Sequence, residues 1–125
     1  MQLIVLAAGK GTRLPYKFRN LPKSMANING KTILNHNLKF YNRFKHKIIV
    51  TGYKSEKLKS FIKKNKFNYI KNNEYKSANM VHSLFKINQI KANEIVVCYS
   101  DIIFDPRIYL NLKKQKNKNI ILLKK

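Results

Sequence analysis

Short apolar runs alternate along the chain with segments in which apolar residues recur every three or four positions. A continuous apolar run predicts a strand buried on both faces, whereas the longer spacing predicts an amphipathic helix. The apolar runs predict strands at residues 2–8, 47–51, 67–70, 94–100 and 119–123. The helical spacing predicts helices at residues 32–44, 55–64, 78–89 and 105–114, with Thr32 as the N-cap of the first.

The order of these elements predicts an α/β fold. Strands that alternate with helices of this length form a parallel sheet, because each helix carries the chain back across one face of it. The predicted fold class is therefore a three-layer α/β/α, Rossmann-like domain with a mostly parallel sheet. Right-handed crossovers place the carboxyl ends of the strands along one edge, where such folds bind ligands next to the first strand. One domain accounts for the 125 residues.

The charge of the chain bears on its partners. Lys and Arg number 27 against 5 Asp and Glu, which gives a formal net charge of +22. A polyanion such as DNA or RNA is one interpretation of this excess. The basic residues are spread over the whole chain, however, and Lys, Asn and Ile, which A/T-rich codons encode, are all abundant. We therefore interpret the excess as background that attracts small phosphorylated molecules, and a nucleic-acid-binding module is the less favoured alternative.

The apolar segments also bear on location. No apolar run approaches the roughly 18 residues that span a bilayer, and the first run lacks the basic flank of a signal peptide. The single cysteine, Cys98, excludes a disulfide framework and lies in a run typical of a buried strand. The expected location is the cytoplasm, with no membrane partner, and the oligomeric state is left open.

The chemistry of the chain is concentrated in the loop after the first strand. The strand ends in small residues and is followed by Gly9-Lys10-Gly11-Thr12-Arg13. Glycines let consecutive backbone N–H groups converge on an anion, and an arginine can bind two phosphate oxygens at once. Lys23 brings a second, point-like positive charge from the far end of the loop. The spacing does not fit a P-loop, because Gly-Lys-Ser/Thr at the required spacing is absent. It does not fit a dinucleotide-binding fingerprint either, because Arg13-Leu14 stands where the third glycine would be.

This loop resembles the signature of nucleotidyltransferases that make nucleotide sugars and CDP-alcohols. The matching residues are Leu6-Ala7-Ala8-Gly9-x-Gly11-Thr12-Arg13-Leu14, followed by Pro22-Lys23. Further along, Asn73-Glu74-Tyr75-x-x-x-Asn79-x-x-x-Ser83-Leu84 is similar to the branch of LicC-type choline-phosphate cytidylyltransferases. Ser100-Asp101, after an apolar strand, resembles the metal-binding aspartate of the family. The resemblance covers most of the chain and implies a GT-A-like nucleotidyltransferase fold.

The resemblance also implies an enzyme with assigned site residues. Arg13 and Lys23 would be catalytic, Arg13 against the departing pyrophosphate and Lys23 at the α-phosphate and the acceptor phosphate. Asp101 would bind Mg²⁺. The nucleotide-binding residues would be Leu6, Ala7, Ala8, Gly9, Lys10, Gly11, Thr12, Asn79 and Ser83. For Asn79 and Ser83, a helix N-cap and a helix-packing serine stay open as alternative roles.

The implied reaction transfers a nucleotidyl group, CMP by preference, from a nucleoside triphosphate to a small phosphorylated acceptor such as phosphocholine, and releases pyrophosphate. One alternative is a sugar-1-phosphate nucleotidyltransferase that uses UTP, GTP or dTTP, and another is a non-catalytic nucleotide-binding domain. Family members are longer and supply a second metal-binding aspartate from their later half. We therefore expect residues 1–125 to be the N-terminal portion of a nucleotidyltransferase domain, with Asp105 acting as a helix N-cap.

Overall fold

A computed structural model describes residues 1–9, 16, 20–76, 80–85, 87, 90 and 92–115. The strands are β1 (Gln2–Ala7), β2 (Asn27–Ile28), β3 (Lys31–Thr32), β4 (His46–Thr51), β5 (Asn68–Lys71) and β6 (Ile95–Tyr99). The α-helices are α1 (Ile33–His36), α2 (Leu38–Tyr41), α3 (Lys59–Lys64), α4 (Met80–Phe85) and α5 (Ile108–Lys114), and short 3-10 helices occupy Lys23–Met25 and Ser55–Leu58. Within these ranges, no helix has the length and apolar character needed to cross a membrane.

Four parallel strands form the main sheet in the order β5–β4–β1–β6. The chain moves from β1 to β4 and β5 on one side and then returns to place β6 on the other side. β1 therefore lies where the strand order reverses, which is the position at which open α/β sheets bind ligands. The predicted parallel sheet is confirmed, and the predicted strand at residues 119–123 lies outside the described residues.

Buried apolar side chains cover both faces of the sheet, because alternate side chains along a strand point to opposite faces. On one face, Leu3 and Val5 belong to a cluster with residues of α1, α2 and α3, and α5 packs against it. On the other face, Ile4 and Leu6 belong to a second cluster, against which Leu84 of α4 packs. Helices thus lie on both faces, and the predicted three-layer arrangement is confirmed.

The buried strand residues include the single cysteine. Cys98 is 6% exposed in β6, and burial raises the pKa of its thiol to about 12. A thiol in this state is protonated at neutral pH and behaves as a small apolar side chain. The predicted role of Cys98 as a buried strand residue is confirmed.

The first predicted helix is divided into two. Its N-cap is confirmed, because the Thr32 Oγ1 atom accepts a hydrogen bond from the Asn35 N–H at 3.2 Å. Asn37 then separates α1 from α2, and the helical segment ends near Tyr41, short of the predicted residue 44. The side chain of Asn37 is fully buried and hydrogen-bonded to the loop after β6. A buried polar residue therefore lies in the middle of the predicted amphipathic helix.

Two other predicted helices begin differently. The segment 55–64 opens with the 3-10 helix Ser55–Leu58 before it becomes α3. The last described helix, α5, begins at Ile108 with Arg107 as its N-cap residue, later than the predicted start at Asp105. Asp105 nevertheless makes the hydrogen bonds of an N-cap to the turn that precedes α5. Its carboxylate accepts from the Arg107 N–H at 2.9 Å, and its carbonyl accepts from the Ile108 N–H at 3.1 Å.

Candidate active site

The predicted site residues that follow β1 and β6 lie together at the carboxyl edge of the sheet. Leu6, Ala7 and Ala8 are buried, whereas Gly9 is exposed at the start of the loop. The Ser100 N–H donates a hydrogen bond to the Leu6 carbonyl at 3.1 Å, which extends the β1–β6 pairing by one residue. Because the two strands are parallel, Asp101 leaves the sheet beside the start of the glycine loop.

Lys23 reaches this edge from the far end of the same loop. Its Nζ forms an ion pair with the Asp101 carboxylate, although 78 positions separate the two residues. The two side chains are 37% and 27% exposed, so solvent and ligands can approach the pair. A pair this open contributes little to stability. Its importance is its position, which brings together the predicted catalytic lysine and the predicted metal ligand.

The backbone around Lys23 is fixed by α1. Lys23 begins the 3-10 helix Lys23–Met25, and its carbonyl accepts a hydrogen bond from the Ala26 N–H at 3.1 Å. The Ala26 carbonyl in turn accepts one from the Ile33 N–H at 3.1 Å, at the first residue of α1. The Lys23 backbone is therefore connected by a short path of main-chain bonds to α1, whose residues Ile33 and Leu34 are buried.

A second contact fixes the start of the glycine loop. The Ala8 carbonyl accepts a hydrogen bond from the Tyr53 N–H at 3.2 Å, just after β4. Gly52 makes this approach feasible, because a Cβ there would lie 2.8 Å from the Ala8 carbonyl oxygen and 2.7 Å from the Tyr75 Cβ. Gly52 is a residue that the sequence analysis missed, and the glycine directly after an apolar strand is the signal that marks it.

Five of the predicted site residues cannot be placed. Arg13 and the nucleotide-binding candidates Lys10, Gly11, Thr12 and Asn79 lie outside the described residues. Their predicted roles stay predictions.

Ser83 has a structural contact. It is 2% exposed on α4, and its Oγ accepts a hydrogen bond from the Asn72 Nδ2 at 2.7 Å. Asn72 is itself fully buried; its N–H donates to the Thr51 carbonyl at 2.7 Å, and its side-chain oxygen accepts from the Glu74 N–H at 3.0 Å. Ser83 thus links α4 to the segment after β5. This contact is that of a helix-packing serine, one of the two roles left open, and the nucleotide-binding role stays a prediction.

The second aspartate, Asp105, pairs with Arg107. The Arg107 Nε lies 3.0 and 2.9 Å from the two carboxylate oxygens of Asp105, and these hydrogen bonds lower the pKa of that carboxyl to about 2. In the part of the chain that the structure describes, no group of three or more His, Cys, Asp and Glu side chains could hold a metal ion. Asp101 therefore offers a single carboxylate, a donor that suits Mg²⁺ when phosphate oxygens and water complete its coordination.

A parallel sheet with a glycine-containing loop after β1 is common to several classes of nucleotide-binding domain, so the family assignment rests on the sequence match. Residues 3–124 match the family described as the MobA-like NTP transferase domain. The chain belongs to this family, and the resemblance to nucleotidyltransferases is confirmed.

Individual relatives agree with this assignment. The chain is 34% identical over 110 residues to the bifunctional protein GlmU of Methanococcus maripaludis, covering 86% of the chain and 26% of that protein. It is 45% identical over 58 residues to the UTP–glucose-1-phosphate uridylyltransferase AglF of Haloferax volcanii, covering 45% of the chain and 24% of that protein.

A solved structure matches as well. The CTP:phosphocholine cytidylyltransferase of Streptococcus pneumoniae, LicC, is 29% identical, with a TM-score of 0.71 over 80% of the chain and 44% of that structure. The chain thus spans less than half the length of each of these three proteins.

The Asn72–Ser83 contact predicts unequal effects for two matched serine substitutions. Ser83→Ala leaves the buried Asn72 Nδ2 without its acceptor and is expected to lower the free energy of unfolding by about 1–3 kcal/mol. Ser24→Ala is the control, because Ser24 is 1% exposed and its hydroxyl has no hydrogen-bond partner among the described residues. We expect Ser24→Ala to be neutral or stabilising. Urea denaturation measures both variants, and equal losses would contradict the structural role of Ser83.

Proposed function

We propose that this chain forms the nucleotide-binding part of an enzyme that transfers a nucleotidyl group, CMP by preference, from a nucleoside triphosphate to a small phosphorylated acceptor such as phosphocholine. The observation that carries the proposal is the Lys23–Asp101 ion pair beside the glycine loop. This pair offers a cation for phosphate oxygens and a carboxylate for a metal ion, and both lie where the strand order reverses. Residues 1–125 would be the N-terminal portion of the complete domain.

The proposed reaction asks little covalent chemistry of the protein. An oxygen of the acceptor phosphate attacks the α-phosphorus of the triphosphate and forms the new P–O bond. The bond between the α-phosphorus and the oxygen that bridges to the β-phosphate breaks, and pyrophosphate leaves with that electron pair. The acceptor phosphate is already ionised at neutral pH, so the attack requires no general base. The protein has to place two anions in line and offset their charge.

Lys23 has the charge and the position for this task. Its ammonium attracts both the α-phosphate and the acceptor phosphate. It thereby offsets the repulsion between these two negatively charged groups. In the free protein that ammonium contacts the Asp101 carboxylate. When a triphosphate binds, phosphate oxygens would replace the carboxylate as the partner of Lys23, and Asp101 would become available to a cation. The net charge of +22 attracts the triphosphate to the protein at low ionic strength.

Asp101 would hold Mg²⁺ together with triphosphate oxygens. Magnesium sites of this kind use one or two carboxylates and keep several waters, which fits the single exposed carboxylate here. Bound Mg²⁺ supplies positive charge that offsets the charge of the pyrophosphate leaving group. Arg13, on the same loop, is the proposed second cation for that leaving group.

These assignments predict different outcomes for substitutions of Lys23 and of Asp101. Lys23→Gln is expected to weaken CTP binding about tenfold both with Mg²⁺ and with EDTA, because a charge-assisted hydrogen bond to phosphate is lost. Asp101→Asn is expected to abolish the gain in CTP affinity that Mg²⁺ gives, while leaving the affinity in EDTA unchanged or higher. Isothermal titration calorimetry measures each affinity.

The matched control is Lys63→Gln. Lys63 is exposed near the end of α3, which runs from the carboxyl end of β4 to the amino end of β5 and so ends at the opposite edge of the sheet. Lys63→Gln removes the same charge as Lys23→Gln. We expect it to change CTP affinity by no more than about twofold, because salt and water screen the charge of Lys63 from the opposite edge. An equal loss in the two lysine variants would refute a specific phosphate role for Lys23.

The choice of CTP is supported by the likeness to LicC, whose name specifies CTP and phosphocholine. The likeness to AglF, named for UTP and glucose 1-phosphate, favours the sugar-1-phosphate alternative. The two are separated by the melting temperature of the chain in the presence of Mg²⁺ and each of CTP, UTP, GTP and dTTP. A ligand that binds only the folded state raises the melting temperature according to its affinity. We expect the largest rise with CTP, and a larger rise with UTP would favour the alternative.

A further inference from the structure

We propose that Asn37 is a positioning residue for Asp101, and this inference rests on the metal-binding role proposed for Asp101 above. Asn37 lies between α1 and α2 and is fully buried. It acts through the loop that follows β6 and contacts neither the nucleotide nor the metal in the proposed site. Its effect is to fix the direction in which the Asp101 carboxylate leaves the sheet.

Both polar ends of the Asn37 side chain bind the main chain of that loop. The Asn37 Nδ2 donates a hydrogen bond to the Ile102 carbonyl at 2.7 Å. The Asn37 Oδ1 accepts one from the Phe104 N–H at 2.8 Å. These two bonds join the helix junction to positions one and three residues after Asp101. A buried amide is costly unless it is satisfied, so the loop and the side chain are held to each other.

The Asn37 backbone is itself well fixed. Its carbonyl accepts hydrogen bonds from the Phe40 and Tyr41 N–H groups at 3.0 and 2.9 Å. Its own N–H lies 3.3 and 3.2 Å from the Ile33 and Leu34 carbonyls. The side chain therefore extends from a backbone whose N–H and carbonyl groups are both hydrogen-bonded within the helical segment.

Apart from the Lys23–Asp101 ion pair, few other contacts with the described residues could fix the path of the loop. Before Asp101, the Ser100 N–H is bonded to β1, and after it the Phe104 ring stacks on Phe40 with the ring centres 5.2 Å apart. Between these points Ile102 and Ile103 are each 47% exposed, so burial of their side chains does little to define the backbone. Asn37 supplies the hydrogen bonds in the stretch where packing is weakest.

The same helix also fixes the partner of Asp101. The first residue of α1, Ile33, bonds to Ala26 at the end of the Lys23 turn, and Asn37 follows its last residue. One short helix therefore connects to the lysine at its beginning and to the aspartate at its end. The spacing of the two charged groups depends on both connections. This arrangement explains why a polar residue occupies a fully buried position in an otherwise apolar helix face.

Asparagine is the residue type that this position requires. The loop presents one carbonyl acceptor and one N–H donor, and a carboxamide supplies the matching donor and acceptor in one planar group. Leucine has a similar volume but supplies neither bond. An ionised aspartate can accept from the Phe104 N–H but cannot donate to the Ile102 carbonyl.

The test is the gain in CTP affinity that Mg²⁺ gives, measured by calorimetry in Mg²⁺ and in EDTA for the 125-residue chain and its Asn37→Leu variant. We expect the ratio of CTP affinity in Mg²⁺ to that in EDTA to be about tenfold smaller in the variant. This is the effect typical of removing a residue that orients a metal ligand. Its CTP affinity in EDTA should stay within about twofold, since a general loss of structure would weaken binding in both conditions.

The matched control is Asn65→Leu. The Asn65 Nδ2 also donates to a main-chain carbonyl, that of Phe61 at 2.9 Å, but it does so at the end of α3, away from the loop after β6. We expect this variant to keep the wild-type gain from Mg²⁺. A loss equal to that of Asn37→Leu would overturn the inference.

A second variant, Asn37→Ala, guards against misfolding of the first. It removes both side-chain hydrogen bonds without placing a bulky apolar group against the loop, so a weaker gain from Mg²⁺ would report the loss of these bonds. A wild-type gain in either folded Asn37 variant overturns the inference, and so does failure of both variants to fold, because Asn37 would then serve the fold alone. If the wild-type chain binds CTP with no gain from Mg²⁺, the proposed role of Asp101 fails first and the inference fails with it.

Discussion

The parallel pairing of β1 with a strand on each side is the constraint on which the rest of the structure depends. Every residue of β1 is buried, and its pairing with β4 and β6 fixes the register of both neighbours. The carboxyl ends of all three strands therefore open at one edge. The glycine loop, Gly52 and Asp101 each follow one of these strands directly, so their proximity is a consequence of the pairing.

The two central strands, β1 and β4, were well predicted because they are buried on both faces, whereas β5 and β6 are exposed at most positions. A strand buried on both faces is apolar at most positions, and such runs stand out from the lysine-rich remainder of the chain. The bounds of the four strands of the main sheet differ from the prediction by at most one residue at each end, whereas β2 and β3 were not among the strands predicted from the apolar runs. Spacing along the chain gives no sign that Lys23 and Asp101 meet. The family resemblance implied a shared site for them, and the structure brings the two together.

The features that were not predicted depend on distant or competing partners. The division of the first helix at Asn37 coincides with its side-chain bonds to Ile102 and Phe104, more than 60 positions away, and periodicity carries no trace of them. The helix α5 begins later than predicted, after a turn in which the Asp105 carboxylate binds both the N–H and the guanidinium of Arg107. Asn72 was overlooked because a polar residue after a strand is ordinary in sequence, and only the fold shows that it is buried against Ser83.

The central claim is that the edge between β1 and β6 binds the phosphates of a nucleotide. Paramagnetic broadening by Mn²⁺ bound with CTP measures this directly, because nuclei close to the ion lose their NMR signals. With the amides of the chain assigned, we predict loss of the Gly9, Ser24 and Ile102 signals at low Mn²⁺, while the Lys63 signal at the opposite edge persists. Uniform broadening across the chain, or broadening centred on the Lys63 edge, would contradict the account.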